Sequence, residues 1–224
     1  MGRHKEEKRK PFTFVDLFAG IGGFHQAMRY LNGKCVMASE IDEDCQKTYS
    51  ENFPKTNLLG DITEINPMEI PSYTVLCAGF PCQPFSKAGY QQGFKDPTKG
   101  NMFFHVMSFI RSNPDLKFII LENVRNLADK KENWDIVKKE LKKENFLITE
   151  DPIILSPHQF GIPQVRERVY ILGIRKDIAD PDKLPMSCIR LEDLHLDDRY
   201  KECKSDAAFE ILQSSKDVSD DYIV

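Results

Sequence analysis

The chain has 224 residues and a mass of 25.9 kDa, with 41% hydrophobic and 29% charged residues. This size and composition are typical of one well-packed domain with additional segments, and no apolar run approaches the roughly 18 residues that a membrane span needs. The formal net charge of −4 argues against a nucleic-acid-binding surface over the whole molecule but is compatible with a local basic groove.

The amino-terminal end and the cysteines indicate the compartment. Residues 1–10 are polar and basic, unlike a secretory signal, and we expect them to form a flexible tail. Six cysteines at irregular spacing favour free thiols in a reducing cytoplasm, so we expect a cytoplasmic protein without a membrane segment. Cys77 and Cys82 could form half of a zinc site, but no second pair with a histidine follows, so no metal is expected.

Strand-like and helix-like segments alternate along the chain. This repetition predicts an α/β fold with a mainly parallel sheet and helices on both faces. The last two strand-like segments are close in sequence and are expected to pair antiparallel at the edge. The predicted strands are Phe12–Phe18, Cys35–Ala38, Leu58-Leu59, Thr74–Ala78, Lys117–Leu121, Phe146–Leu155 and Val169–Ile174; the predicted helices are Phe24–Leu31, Asp42 to before Pro54, Met102–Ile110 and Trp134–Lys143.

The first junction between strand and helix is rich in glycine and reads Asp16-Leu17-Phe18-Ala19-Gly20-Ile21-Gly22-Gly23-Phe24. Glycines let the backbone approach a ligand and expose amide groups at a helix N-terminus. The spacing differs from G-x-G-x-x-G, so a nicotinamide cofactor is not favoured.

Two acidic residues follow the next two strands. Glu40 is placed to accept hydrogen bonds from ribose hydroxyls, and Asp61 could meet an adenine amino group. A tight turn with an acidic cap is the alternative for each residue alone. Together with the glycine-rich junction, they indicate a cofactor that contains adenosine.

Cys82 lies between two prolines in Gly-Phe-Pro-Cys-Gln-Pro-Phe-Ser, residues 79–86, just past the fourth predicted strand. The prolines stiffen the backbone, and ligands collect at this edge of an open α/β sheet. Its position alone is equally compatible with a structural and a functional thiol. Pro81–Lys99 is predicted to be a long loop, which is typical of functional or mobile segments.

Charged residues follow the later strands. Glu122 ends the fifth predicted strand, where it could cap a helix or act as an acid opposite a thiolate at Cys82. Arg166 and Arg168 alternate with Glu167 on an extended segment, so both arginines would point the same way. One is a candidate donor to a substrate and the other its support; a surface ladder of ion pairs with Glu167 is the alternative.

Taken in order, these motifs resemble those of the DNA cytosine-5 methyltransferase family over about Phe12 to Arg175. Asp16–Phe24 is similar to its first cofactor motif, Pro81-Cys82-Gln83 to its nucleophile motif, Glu122-Asn123-Val124 to its catalytic-acid motif and Gln164–Arg168 to its substrate-arginine motif.

The resemblance implies a Rossmann-like S-adenosylmethionine-dependent methyltransferase fold, with the catalytic domain over residues 11–180. It further implies methyl transfer from S-adenosylmethionine to C5 of a cytosine that is flipped out of double-stranded DNA, in a bacterial restriction–modification system. The implied catalytic residues are Cys82, Glu122, Arg166 and Arg168. The implied cofactor-binding residues are Asp16, Phe18, Ala19, Gly20, Gly22, Gly23, Phe24, Glu40, Ile41, Asp61, Ile62, Pro81 and Met102. The implied DNA-binding residues are Gln83, Ser86, Lys87 and Gln164.

The family's target-recognition region and its last cofactor motif do not follow the matched part. We expect residues 181–224 to be an extension or linker toward a missing recognition region, with a short helix at Asp206–Gln213. The alternatives are a split enzyme whose second polypeptide supplies the rest, a truncated gene product, and a piece of a longer chain. A non-catalytic regulatory relative and a transfer-RNA cytosine-5 methyltransferase are the alternative functions.

Overall fold

The computed structural model describes residues 10–81, 102–160 and 162–179. Within these ranges the strands are β1 (Phe12–Leu17), β2 (Gly33–Ser39), β3 (Leu58–Leu59), β4 (Val75–Gly79), β5 (Phe118–Val124), β6 (Phe146–Ile148), β7 (Ile153–Leu155) and β8 (Arg168–Arg175). The helices are α1 (Gly23–Tyr30), α2 (Glu43–Asn52), α3 (Met102–Ser112), α4 (Asn126–Asp129) and α5 (Lys131–Lys143).

All eight strands belong to one sheet. Its order is β3-β2-β1-β4-β5-β8-β6, and β7 also pairs with β8. The first five strands are parallel to their neighbours, and β8 runs antiparallel to β5, β6 and β7. The predicted α/β class, with a mainly parallel sheet and an antiparallel part, is confirmed.

Two details of the antiparallel part differ from the prediction. The predicted strand Phe146–Leu155 is two short strands, β6 and β7, and Pro152 lies between them. Proline has no N–H group to donate to a ladder, so a strand is expected to stop there. The antiparallel part is also not a simple hairpin. β8 lies between β5 on one side and the pair β6 and β7 on the other.

The core lies on both faces of the sheet. Alternate residues of a strand point to opposite faces, and in β1 Val15 joins the large cluster under α3 and α5 whereas Phe14 packs with Met28 of α1. Tyr49 of α2 is fully buried in a third cluster with Ala38. Strands that are buried on both faces read as continuous apolar runs, which is why the sequence revealed them.

The parallel strands bring the predicted site residues to one edge of the sheet. The carboxyl ends of β1, β2 and β4 meet there with the end of β5. β5 continues to Val124, three residues beyond its predicted end, so Glu122 lies inside the strand between Gly79 of β4 and Tyr170 of β8. In the described part of the chain, no helix is both long and apolar enough to span a membrane.

Candidate active site

The loop between β1 and α1 turns on residues with left-handed backbone conformations. Phe18, Gly20 and Gly22 have φ angles of 57°, 54° and 96°. A side chain at Gly22 would overlap the ring of Phe53, whereas one at Gly20 or Gly23 would meet no described atom within 4 Å. Packing therefore requires glycine at position 22. At Gly20 and Gly23 the loop is open to a ligand.

Glu40 connects the end of β2 to this loop. Its Oε2 accepts a hydrogen bond from the Gly20 N–H at 2.7 Å, and its Oε1 accepts from the N–H groups of Ile41 and Asp42 at 2.8 and 2.9 Å. A carboxylate has about four lone-pair positions, so three backbone bonds leave it able to accept a hydroxyl. The Ile41 side chain beside it is 65% exposed.

Asp16 lies near the carboxyl end of β1, where it is fully buried and faces the start of α1. Its Oδ2 accepts from the His25 N–H at 3.2 Å, and its Oδ1 has no partner among the described residues. Burial, with a smaller contribution from the charge of Glu40, raises the pKa of Asp16 to about 8. The sequence placed Asp16 in the cofactor site, and the structure shows its side chain on the buried side of the loop.

The ring of His25 belongs to the same buried region. It stacks on Phe53 with ring centroids 3.7 Å apart, and its Nδ1 lies 2.6 Å from the Tyr49 hydroxyl oxygen. Burial lowers the pKa of His25 to about 4, with a smaller contribution from the charge of Arg29. The imidazole is therefore neutral at physiological pH.

Asp61 caps the short 3-10 helix Ile62–Glu64. Its Oδ1 accepts from the Thr63 N–H at 2.8 Å, and this bond holds the pKa of Asp61 below its usual range. The acidic cap that the sequence offered as an alternative is thus present, and the ionised carboxylate is half-buried with acceptor capacity left.

The remaining predicted cofactor residues have different exposures. Gly23 and Pro81 are exposed, Phe18, Gly20, Phe24 and Met102 are half-buried, and Ala19, Gly22 and Ile62 are buried. Ile62 is part of the main core and Met102 packs against it. Ile62 and Met102 therefore contribute apolar surface to the main core.

Glu122 is the acid at the centre of the edge. Its Oε1 lies 3.0 Å from Arg168 Nε, and a Cβ on Gly79 would lie 3.4 Å from its Oε2, so the carboxyl group stands over the end of β4. Burial raises the pKa of Glu122, and the charges of Arg168 and Arg166 oppose that rise only in part. A carboxyl group with a raised pKa in such a position suits proton donation.

The two predicted arginines have different roles. Arg168 begins β8 and contacts Glu122 directly, whereas Arg166 is exposed and acts on Glu122 through its charge. Glu167 pairs with Arg125 at 2.7 Å. The surface ladder among residues 166–168 is therefore not what the structure shows. Gln164, predicted to contact DNA, is exposed, and its carbonyl accepts from the His158 N–H.

The predicted nucleophile Cys82 and the predicted DNA contacts Gln83, Ser86 and Lys87 lie outside the described residues. The chain enters that segment through Phe80 and Pro81. The buried side chain of Asn123 donates to the Phe80 carbonyl at 2.7 Å and thereby ties the exit of β4 to β5. In the described ranges, no cluster of three or more His, Cys, Asp or Glu residues is arranged to hold a metal ion.

Sequence reasoning assigned no role to three residues that shape this edge: Asn123, Gly79 and Ser156. Asn123 had a usable signal, because it is a polar residue at an inward position of the strand alternation. Gly79 and Ser156 gave none, since their partners Glu122 and Arg166 are distant in sequence.

Comparison with known proteins identifies the family. The family model for C-5 cytosine-specific DNA methylase matches residues 12–221, which extends beyond the Phe12–Arg175 resemblance. The chain belongs to the C-5 cytosine-specific DNA methylase family.

Individual members of the family show how much of the chain is matched. The type II methyltransferase M.HpaII of Haemophilus parainfluenzae is 46% identical over 75% of this chain, which covers 47% of M.HpaII. M.HhaI of Haemophilus parahaemolyticus is 37% identical over 78% of the chain and 52% of its own length. M.DsaV of Dactylococcopsis salina is 37% identical, and the chain covers 56% of it. The chain thus spans about half the length of these methylases.

Solved structures of methylases share the fold. A DNMT2 variant of Spodoptera frugiperda superposes with a TM-score of 0.63 at 28% identity, covering 76% of this chain and 52% of that one. Dnmt2 of S. pombe superposes with a TM-score of 0.61 at 22% identity, covering 82% and 53%, and shows the fold alone. The methyltransferase fold that the sequence predicted is confirmed.

Proposed function

We propose that this chain carries the catalytic part of a DNA (cytosine-5) methyltransferase of a bacterial restriction–modification system. The observation that carries the proposal is Glu122, a half-buried acid with a raised pKa that is held by Arg168 at the edge where the chain leads into Cys82. The similar proteins M.HpaII and M.HhaI are named type II methyltransferases, which supports the same assignment.

The cofactor side of the edge fits S-adenosylmethionine. Glu40 keeps an acceptor position for a ribose hydroxyl, Asp61 remains ionised for an adenine amino group, and the loop is open in front of Gly20 and Gly23. When bound, S-adenosylmethionine supplies the electrophilic methyl group.

The chain's own residues would activate the base. Cytosine C5 is a poor nucleophile, and addition of the Cys82 thiolate to C6 would place electron density on C5. Glu122 would share its proton with N3 of the ring, and Arg166 would donate to O2, so that the charge that develops on the ring is stabilised. After C5 gains the methyl group, loss of the C5 proton expels the thiolate and restores the double bond between C5 and C6.

The base must leave the duplex before this chemistry, because stacked neighbours shield C6. The acceptors and donors at this edge belong to cofactor and base rather than to a DNA backbone. The similar type II methyltransferases are about twice as long as the matched part. We therefore propose that sequence-specific DNA binding uses a target-recognition region outside the matched part; a second polypeptide and a longer form of this chain are the two sources left open.

The test is methyl transfer from labelled S-adenosylmethionine to duplex DNA and to transfer RNA. The chain is assayed alone and with the product of the neighbouring reading frame. Transfer to duplex DNA supports the proposal. Retained cofactor binding without transfer to either nucleic acid contradicts it and favours a regulatory relative, and transfer to transfer RNA alone favours the other alternative.

The nucleophile is tested with Cys82→Ala. We expect this variant to lose methyl transfer and covalent trapping on a fluorocytosine oligonucleotide, while cofactor binding measured by calorimetry stays at the wild-type level. Cys45→Ala is the matched control, because Cys45 is a half-buried free thiol in α2. A Cys82→Ala protein that still transfers methyl groups would show that the nucleophile is another residue.

A further inference from the structure

A buried hydroxyl lies where β7 ends. Ser156 is 3% exposed, and its Oγ accepts a hydrogen bond from the Arg166 N–H at 2.9 Å. The same Oγ lies 2.8 Å from His158 Nδ1, and the Ser156 N–H donates to Gln159 Oε1 at 2.8 Å. We propose that Ser156 is a positioning residue that fixes the backbone at Arg166 and thereby sets how far the Arg166 charge lies from Glu122; this inference rests on the function proposed for those two residues.

The Ser156 hydroxyl provides a hydrogen bond just beyond the point where the backbone pairing of β7 with β8 ends. The pairing of β7 with β8 ends at Leu155 and Arg168. A regular antiparallel ladder would next bring Ser156 opposite Glu167, but the Ser156 side chain instead binds the backbone of Arg166. The position of Arg166 is therefore set by this side chain rather than by the sheet.

The rest of the loop is closed independently of Ser156. The Ile162 N–H donates to the Pro157 carbonyl, and the His158 N–H donates to the Gln164 carbonyl, each at 3.1 Å. These bonds hold the far part of the loop. Within the described ranges, the Ser156 bond is the one that holds the Arg166 backbone, so its removal is expected to free Arg166 without opening the whole loop.

The placement of Arg166 has a measurable electrostatic effect. Among the described residues, the charged groups that act on Glu122 are Arg168 and Arg166, and the neighbouring titratable group is Tyr170, whose pKa Glu122 in turn raises. Arg168 is anchored by its direct contact with Glu122, whereas Arg166 acts through its charge alone. If Arg166 moves away, the pKa of Glu122 rises.

The experiment is a carbon-13 NMR titration of the Glu122 carboxyl group in the full chain. The variants are Ser156→Ala, Arg166→Ala, the double variant and Ser156→Thr, which keeps a hydroxyl. We expect Ser156→Ala to shift the Glu122 titration to higher pH, in the same direction as Arg166→Ala. The double variant should match Arg166→Ala alone, and Ser156→Thr should return toward the wild type.

A Glu122 titration that is unchanged in Ser156→Ala overturns the inference, and so does a double variant whose shift exceeds that of Arg166→Ala. Ser112→Ala is the matched control, because Ser112 donates to a backbone carbonyl at the end of α3, away from this loop. If Ser156→Ala does not fold, Ser156→Cys takes its place, since a thiol has similar volume but is a weak hydrogen-bond partner.

Methyl transfer provides a second readout. In the assay that supports the proposed function, Ser156→Ala should lower kcat by about 10- to 100-fold with an unchanged KM for the cofactor. It should have no further effect when Arg166 is already alanine. If the wild-type chain transfers no methyl group, the proposed function fails, while the NMR titration still decides the role of Ser156.

Discussion

Asp16 and Glu122 have pKa values raised by burial, but their surroundings differ. Glu122 has Arg168 at 3.0 Å and is half-buried, so its carboxyl group is both paired and partly accessible. Asp16 is fully buried, its largest favourable contact is the His25 N–H, and its Oδ1 has no described partner. At this scale one acid has the accessibility that the proposed proton transfer requires, and the other is expected to make the stability of the fold depend on pH.

Asp16 gives the first prediction. Its pKa is about 8 in the folded chain against an ordinary 3.8, so between these values the folded state binds more protons than the unfolded state. The stability from Asp16 is complete below about pH 4 and is lost as pH rises toward about 8, by at most about 1.4 kcal/mol for each pH unit. We expect Asp16→Asn to remove this slope, as measured by urea unfolding at several pH values.

The comparison that isolates Asp16 is the difference between wild type and Asp16→Asn at each pH. Asparagine keeps an acceptor for the His25 N–H and does not ionise. A difference that stays constant from pH 4 to pH 8 would show that Asp16 does not titrate in this range.

Gly22 gives the second prediction. A side chain there would overlap Phe53, and the φ of 96° disfavours any other residue. We expect Gly22→Ala to lower the free energy of unfolding by about 1–3 kcal/mol, measured by urea unfolding. Gly23→Ala is the matched control, since its Cβ meets no described atom within 4 Å and alanine favours the first turn of α1. Equal losses in both variants would contradict the steric explanation.

At the scale of elements, the side chain of Asn123 joins the carboxyl ends of β4 and β5. Asn123 is 1% exposed and bonds the Phe80 carbonyl at 2.7 Å. Asn123→Ala leaves that carbonyl without its partner, and we expect the free energy of unfolding to fall by about 1–3 kcal/mol. Asn52→Ala at the end of α2, whose side chain bonds Thr48 on an exposed face, should change it by less than about 0.5 kcal/mol. A similar effect of both variants would argue against the link.

The elements also show what the sequence could predict. The parallel strands were predictable because they are buried on both faces. The placement of Glu40, Asp61 and Glu122 at one edge was predictable because parallel strands end there, whereas their roles stay predictions. The end of β5 was predicted three residues early, since Glu122 and Asn123 are polar and only the pairing with β8 extends the strand. Contacts such as that of Ser156 with Arg166 depend on tertiary folding, and no local sequence pattern predicts them.

For the whole molecule, the charge balance gives a prediction about DNA. The net charge is −4, and the chain spans about half the length of the similar methyltransferases. We expect the chain alone to bind duplex DNA weakly, with a slope of log affinity against log salt shallower than about −3. Fluorescence anisotropy at several salt concentrations from about 50 to 200 mM measures this slope, because the affinity changes strongly over that range. A slope steeper than about −6 would place the main DNA surface on this chain.

β8 is the last strand that the structure describes, and its direction sets where the described chain ends. Arg168 lies beside Glu122, and the strand then runs seven residues further, away from this edge, to Arg175. At about 3.4 Å for each residue, it ends roughly 24 Å from the acid. A following segment that returns to bound DNA must travel back over that distance, which takes about seven extended residues or about sixteen helical ones. This distance therefore sets the minimum length of any tether between the end of β8 and a DNA-reading region.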